Sequence, residues 1–89
     1  MQTVHIKVTG KVQGVFYRKY AFEVAIKLGI DGFVMNDVDG NVVIEATGEN
    51  EKINEFVQWC HEGSPMSKVE EVAVNEIPEK DYQGFTIRY

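Results

Sequence analysis

From Gly10 to Arg18 the chain reads Gly10-Lys11-Val12-Gln13-Gly14-Val15-Phe16-Tyr17-Arg18, a run that leads into a helix. A loop entering a helix leaves several backbone N–H groups without intrahelical partners. With the positive end of the helix dipole, those groups form an anion site. Gly14 could turn the backbone so that consecutive N–H groups converge. Arg18 falls in the first helical turn, where the dipole disfavours a cation. An anion held between the helix end and the guanidinium removes that conflict. A plainer role also fits, with Gly10 and Gly14 shaping a loop and Arg18 solvated. Asn36 is the second residue of interest. Its amide both donates and accepts hydrogen bonds, so it can orient a water without adding negative charge beside an anion. It also suits a turn, where Asn is common. Sequence spacing does not place Asn36 near Arg18.

Other reactive side chains form no constellation. Asp37-Val38-Asp39 resembles an aspartyl nucleophile motif, but such a motif needs a buried parallel strand, and here Gly40 marks a hairpin turn. A calcium loop with Gly40 at its sixth position would start at Met35 and end at Ala46, neither of them a ligand. Cys60 lacks an arginine at the spacing of a thiol phosphatase, because position 66 is Met, and it lies on an apolar helix face. His5 and His61 are expected to be exposed, and Trp59 to be partly buried against the helix face.

These residues need a frame. Val4, Ile6 and Val8 alternate with His5, Lys7 and Thr9, the period of a half-buried strand. Tyr17, Tyr20, Ala21, Val24, Ala25 and Leu28 recur at helical spacing, and Gly29 provides a C-cap. Residues 30–36 and 42–47 read as strands joined by an Asp-Gly hairpin signal at Asp39-Gly40. A second helix opens at Gly48 and Asn50, carries Ile53, Phe56, Val57 and Cys60 on one face, and stops at Gly63-Ser64-Pro65. Residues 69–77 form a fourth strand, and Phe85, Ile87 and Tyr89 alternate in a short fifth. The order predicts an α+β, ferredoxin-like split βαβ sandwich. Its sheet of four to five strands would be antiparallel, with two helices on one face and the other face in water. The acidic stretch from Glu70 to Asp81 reads as a solvated face.

The chain has 89 residues, of which 44% are hydrophobic and 26% charged, and its net charge is −5. That length sets an expectation of one domain over 1–89. The acidic balance argues against a nucleic-acid partner held through phosphates. No apolar run is long enough to span a membrane, and the N-terminus lacks the pattern of a signal peptide. One cysteine excludes an internal disulfide framework and fits a reducing cytoplasm. Residues 1–30 carry five basic side chains against one acidic, for +4, whereas residues 31–89 carry four basic against 13 acidic, for −9. A positive N-terminal third in an acidic chain hints at a small anionic ligand there.

The residues become specific when read together. The chain resembles the acylphosphatase family along nearly its whole length. The family's first signature is met by Gly10, Val12, Gln13, Gly14, Val15, Tyr17 and Arg18. Its second is met by Gly32, Phe33, Val34, Asn36, Gly40, Val42 and Gly48. The resemblance implies hydrolysis of small-molecule acyl phosphates to carboxylate and inorganic phosphate, with no metal and no cofactor. Inorganic phosphate would be both product and inhibitor. Arg18 would bind the phosphoryl oxygens, with the backbone of Gln13, Gly14, Val15, Phe16 and Tyr17 completing the cradle. Asn36 would position the attacking water. A cytoplasmic monomer with no nucleic-acid or membrane partner is implied. A non-catalytic anion-binding or regulatory module of the same fold is the alternative, and Asn36 argues against it. Two departures stand out. Met35 occupies a position that is often basic in the family, and Asp37 one that is often uncharged; Asp37 is expected to face water.

Overall fold

A computed structural model describes residues 1–89. The elements are β1 (Gln2–Lys11), α1 (Tyr17–Leu28), β2 (Asp31–Asn36), β3 (Val42–Gly48), α2 (Asn50–Glu62), β4 (Lys68–Ile77) and β5 (Phe85–Arg88). They build one five-stranded sheet in the order β4-β1-β3-β2-β5. The alternation of β1 sets its register. Val4, Ile6 and Val8 pair with Ala46, Ile44 and Val42 of β3, and Val34 of β2 faces Ile44 from the other side. A one-residue slip would turn this apolar row to solvent, so the pattern fixes the pairing.

Both helices cover that row. α1 packs over β2 and β5, while α2 packs over β4, β3 and β1 and against α1. Ile53, Phe56 and Cys60 of α2 are fully buried, together with Tyr17, Ala21 and Ala25 of α1. Aromatic rings knit the layers. Tyr17 and Trp59 lie 5.0 Å apart between centroids, and Phe56 meets Phe85 edge-on at 6.0 Å. Each such pair adds roughly 0.5–1.5 kcal/mol beyond its buried area. Gly29 ends α1 as expected, its N–H bonding to the last turn. Tyr20, expected on the apolar face, is instead exposed at the helix surface.

The expected antiparallel sheet holds for β1 to β4, but β5 joins β2 in parallel, so the sheet is mixed. Nor is the face away from the helices wholly in water. The connection from β4 to β5 folds beneath it, where Lys80 N–H donates to Thr3 Oγ1 at 3.0 Å and Thr47 Oγ1 donates to Lys80 O at 3.1 Å. Tyr82 hydroxyl donates to Glu45, and its ring stands edge-on to Phe33 at 5.9 Å. Thr3 and Thr47 are buried as a result, and His5 is half-buried rather than exposed. Desolvation opposes ionisation of Glu45, but the bonds from Tyr82 and Lys80 outweigh it and hold the carboxyl below its usual range. The other acidic residues from Glu70 to Asp81 are exposed, as expected.

Strand direction decides where chemistry can gather. β1 and β2 both run antiparallel to β3, so they run alike, and β5 runs with β2. All three therefore end at one edge of the sheet. Across β3, Val8 and Asn36 pair with the same residue, Val42. Two strand spacings separate them, roughly 9–10 Å.

Candidate active site

β1 carries a bulge near its end, where pairing with β4 shifts between Thr9 and Gly10, and the loop follows Lys11. Gly10 has φ +120°, and a Cβ there would lie 2.2 Å from Lys68 O, so only glycine fits. Val12 and Val15 then bury their side chains and pin the loop from below. Ser64, just past α2, donates its hydroxyl to Val15 O at 2.7 Å. Between these anchors the backbone turns left-handed at Gly14 and again at Phe16. Phe16 is the only non-glycine residue with positive φ, at 64°, and it caps α1 with no side-chain hydrogen bond. Its ring is 69% exposed, so packing does not explain the conformation. An αL residue costs about 1–2 kcal/mol, and such strain collects at functional sites. The only backbone hydrogen bond the loop makes outside helices and strands runs from Tyr20 N–H to Phe16 O. The N–H groups of Gly14, Val15, Phe16 and Tyr17 donate to no protein acceptor.

Beside this loop lies a pocket of about 420 Å³ lined by Val12, Gly14, Phe16, Tyr17, Arg18, Lys19, Asn36, Ile87 and Tyr89. It holds two cationic side chains and no acidic one, in a chain whose net charge is −5. Arg18 and Asn36, separate in sequence, line the same cavity. Arg18 Nη1 donates to Arg88 O at 2.9 Å, and its guanidinium lies 4.7 Å from the centroid of the Tyr89 ring. That holds the head group in place while leaving the rest of its donor fork available. Asn36 Oδ1 is buried and has no hydrogen-bond partner. An acceptor in that state costs about 1–3 kcal/mol, and a turn of the amide into the pocket it lines would let a water recover it.

Other expectations resolve as follows. Gln13 does not line the pocket with its side chain. Its Nε2 donates to Asp37 O at 2.9 Å and Asn41 O at 2.8 Å. Asp37 does not point at the anion site. Its Oδ1 accepts from the N–H groups of Asp39 and Asn41, and the bond from Asn41 lowers its pKa most. Tyr17 donates its hydroxyl to Cys60 O at 2.9 Å, and burial pushes the phenol pKa far up, keeping it a neutral donor. Burial also pushes the Cys60 thiol up to about 12, consistent with an inert core residue. Lys19, Val12, Ile87 and Tyr89 were not singled out as site residues, nor was Ser64. The positive N-terminal third signalled Lys19. Nothing local signalled Ile87 and Tyr89, because the parallel pairing of β5 brings them in.

The acylphosphatase family model matches residues 4–87. The acylphosphatase of Acidovorax sp. (strain JS42) is 44% identical over 86 residues, covering 97% of this chain and 89% of that one. The crystal structure of the acylphosphatase from Bacillus subtilis superposes with a TM-score of 0.96 at 37% identity, covering 100% of both chains. Full-length HypF in its phosphate- and nucleotide-bound form contains a segment with a TM-score of 0.92 at 34% identity, covering 99% of this chain but 12% of that one. The chain belongs to the acylphosphatase family.

Proposed function

We propose that this protein hydrolyses acyl phosphates to a carboxylate and inorganic phosphate, with Arg18 and Asn36 as its catalytic pair. The observation that carries the reading is the buried, unpartnered Asn36 Oδ1 in the same pocket as Arg18. The phosphoryl oxygens sit on the backbone N–H groups of Gln13 to Tyr17 and on the Arg18 guanidinium. Those donors and the start of α1 stabilise the charge that spreads over the phosphoryl oxygens. The Asn36 amide, turned toward the pocket it lines, accepts a hydrogen bond from a water at Oδ1 and aims the oxygen of that water at phosphorus. The new P–O bond forms as the P–O bond to the acyl group breaks, and the carboxylate leaves with the electron pair. The proton of the water passes to the product phosphate or to solvent. A carboxylate leaves readily, so neither a strong base nor a covalent intermediate is required, and charge is handled without a metal or cofactor.

Residues 1–89 act as one unit on a small-molecule substrate. The protein acts as a monomer. The one free cysteine is buried, which supports a cytoplasmic setting. No helix is long and apolar enough to cross a membrane. Inorganic phosphate occupies the same cradle and competes with substrate.

The test is hydrolysis of an aromatic acyl phosphate in ¹⁸O-labelled water with a chelator present. The expected result is turnover with label in phosphate and none in the carboxylate. Label in the carboxylate would place attack on carbon instead. No turnover with phosphate still bound would leave an anion-binding module, and loss of turnover to the chelator would require a metal.

A further inference from the structure

The proposed mechanism needs the water-holding amide and the phosphate loop at a fixed distance, yet no hydrogen bond joins Asn36's side chain to the loop. Asn36 ends β2, and its amide oxygen is unpartnered. The connection runs instead through the hairpin that follows it. Both hydrogens of Gln13 Nε2 are used, one on Asp37 O at 2.9 Å and one on Asn41 O at 2.8 Å, the two ends of the turn. Those carbonyls are themselves fixed. Asp37 N–H donates to Asn41 O at 2.9 Å. The Asp37 carboxylate gathers Asp39 N–H, Asn41 N–H and Asn41 Nδ2, at 2.9, 2.9 and 3.3 Å.

We infer that Gln13 and Asp37 are positioning residues. Asp37 sets the hairpin turn, and the side chain of Gln13 ties that turn to the phosphate loop, so that Asn36 is held at the distance attack requires. The inference rests on the roles proposed above for Arg18 and Asn36. It also gives Asp37 a purpose: the carboxylate is consumed by the turn, and no acidic side chain lines the pocket beside it. A shift of about 1 Å in a positioned group can cost about 100-fold in rate. Gln13→Leu keeps similar bulk but removes both donors. Gln13→Glu goes further and sets an acceptor against two carbonyls.

The experiment is a double-mutant cycle on hydrolysis of an aromatic acyl phosphate, comparing wild type, Gln13→Leu, Asn36→Ala and the double variant. Inorganic phosphate is the binding probe. Gln13→Leu is expected to lower kcat by about 10–100-fold while the phosphate inhibition constant changes by less than about threefold. In the Asn36→Ala background the same substitution is expected to cost at most about twofold, because the group it positions is gone. Equal losses in both backgrounds, or lost phosphate binding with kcat intact, would overturn the inference. So would wild-type kcat in Gln13→Leu. If Gln13→Leu does not fold, Asp37→Asn takes its place, with a smaller loss of kcat expected and again none beyond Asn36→Ala. Full turnover in Asn36→Ala alone would instead overturn the catalytic pair on which the inference rests, and the two failures are distinct.

Discussion

Asp37 shows how one side chain can contradict the charge arithmetic around it. A carboxylate one residue from the amide proposed to hold the water should repel a phosphate. It does not face the pocket, because the N–H groups of Asp39 and Asn41 and the amide of Asn41 claim both its oxygens. The bond from Asn41 N–H leads the interactions that lower its pKa, with Lys7 a lesser contributor. The sign follows. A depressed native pKa means stability that is present above the unfolded value, about 3.9, and is lost as pH falls below it. Asp37→Asn should therefore lower the urea midpoint near neutral pH, and the gap from wild type should narrow toward pH 3. Glu45 titrates in the same direction but is present in both proteins, so it cancels. A gap that stays constant with pH would show that shape, not charge, holds the turn. At this scale the sequence was legible in type. The chemistry of Arg18 and Asn36 could be named from their functional groups. The state of Asp37 could not, because it depends on backbone N–H directions within the turn.

Among the elements, the segment that stops α2 contributes more than a helix end. Ser64 is buried, and its hydroxyl bonds Val15 O, 49 residues away, at 2.7 Å. That bond holds the middle of the loop between β1 and α1 from beneath, between the left-handed turns at Gly14 and Phe16. Ser64→Ala should leave Val15 O buried without a partner and cost about 1–3 kcal/mol, read as a lower denaturant midpoint. The substrate KM should rise, because the loosened loop presents its N–H groups less well. An unchanged midpoint with unchanged KM would show that Val12 and Val15 hold the loop without it. The periodicity of α2 predicted that helix to within a residue or so, whereas β1 continues two residues past Thr9, through the bulge to Lys11. Ser64 gave no such signal, since Gly-Ser-Pro reads only as punctuation. The parallel pairing of β5 was also hidden. A four-residue strand carries no mark of its direction, and it is the packing of α1 over β2 and β5 that seats it.

For the whole molecule, topology turns three strand ends into one site. Because β1, β2 and β5 run alike, the loop leading to Arg18 at the start of α1, the residue Asn36, and Ile87 with Tyr89 all gather at one edge of the sheet. The alternating order of strands and helices pointed to the sandwich, but the spatial order β4-β1-β3-β2-β5 was needed to bring Asn36 level with Val8. The charge pattern has the same logic: a pocket with Arg18 and Lys19 and no acidic side chain, in a chain of net charge −5, favours anions at one place. The most direct test of that convergence compares turnover of an aromatic acyl phosphate with binding of inorganic phosphate, in wild type, Asn36→Ala and Arg18→Ala. Asn36→Ala should lose about 100–1,000-fold in kcat while phosphate inhibits it within about threefold of wild type. Arg18→Ala should lose phosphate binding and turnover together, with kcat/KM down by about 1,000-fold or more. Full kcat in Asn36→Ala, or unchanged phosphate binding in Arg18→Ala, would contradict the division of labour between the two residues.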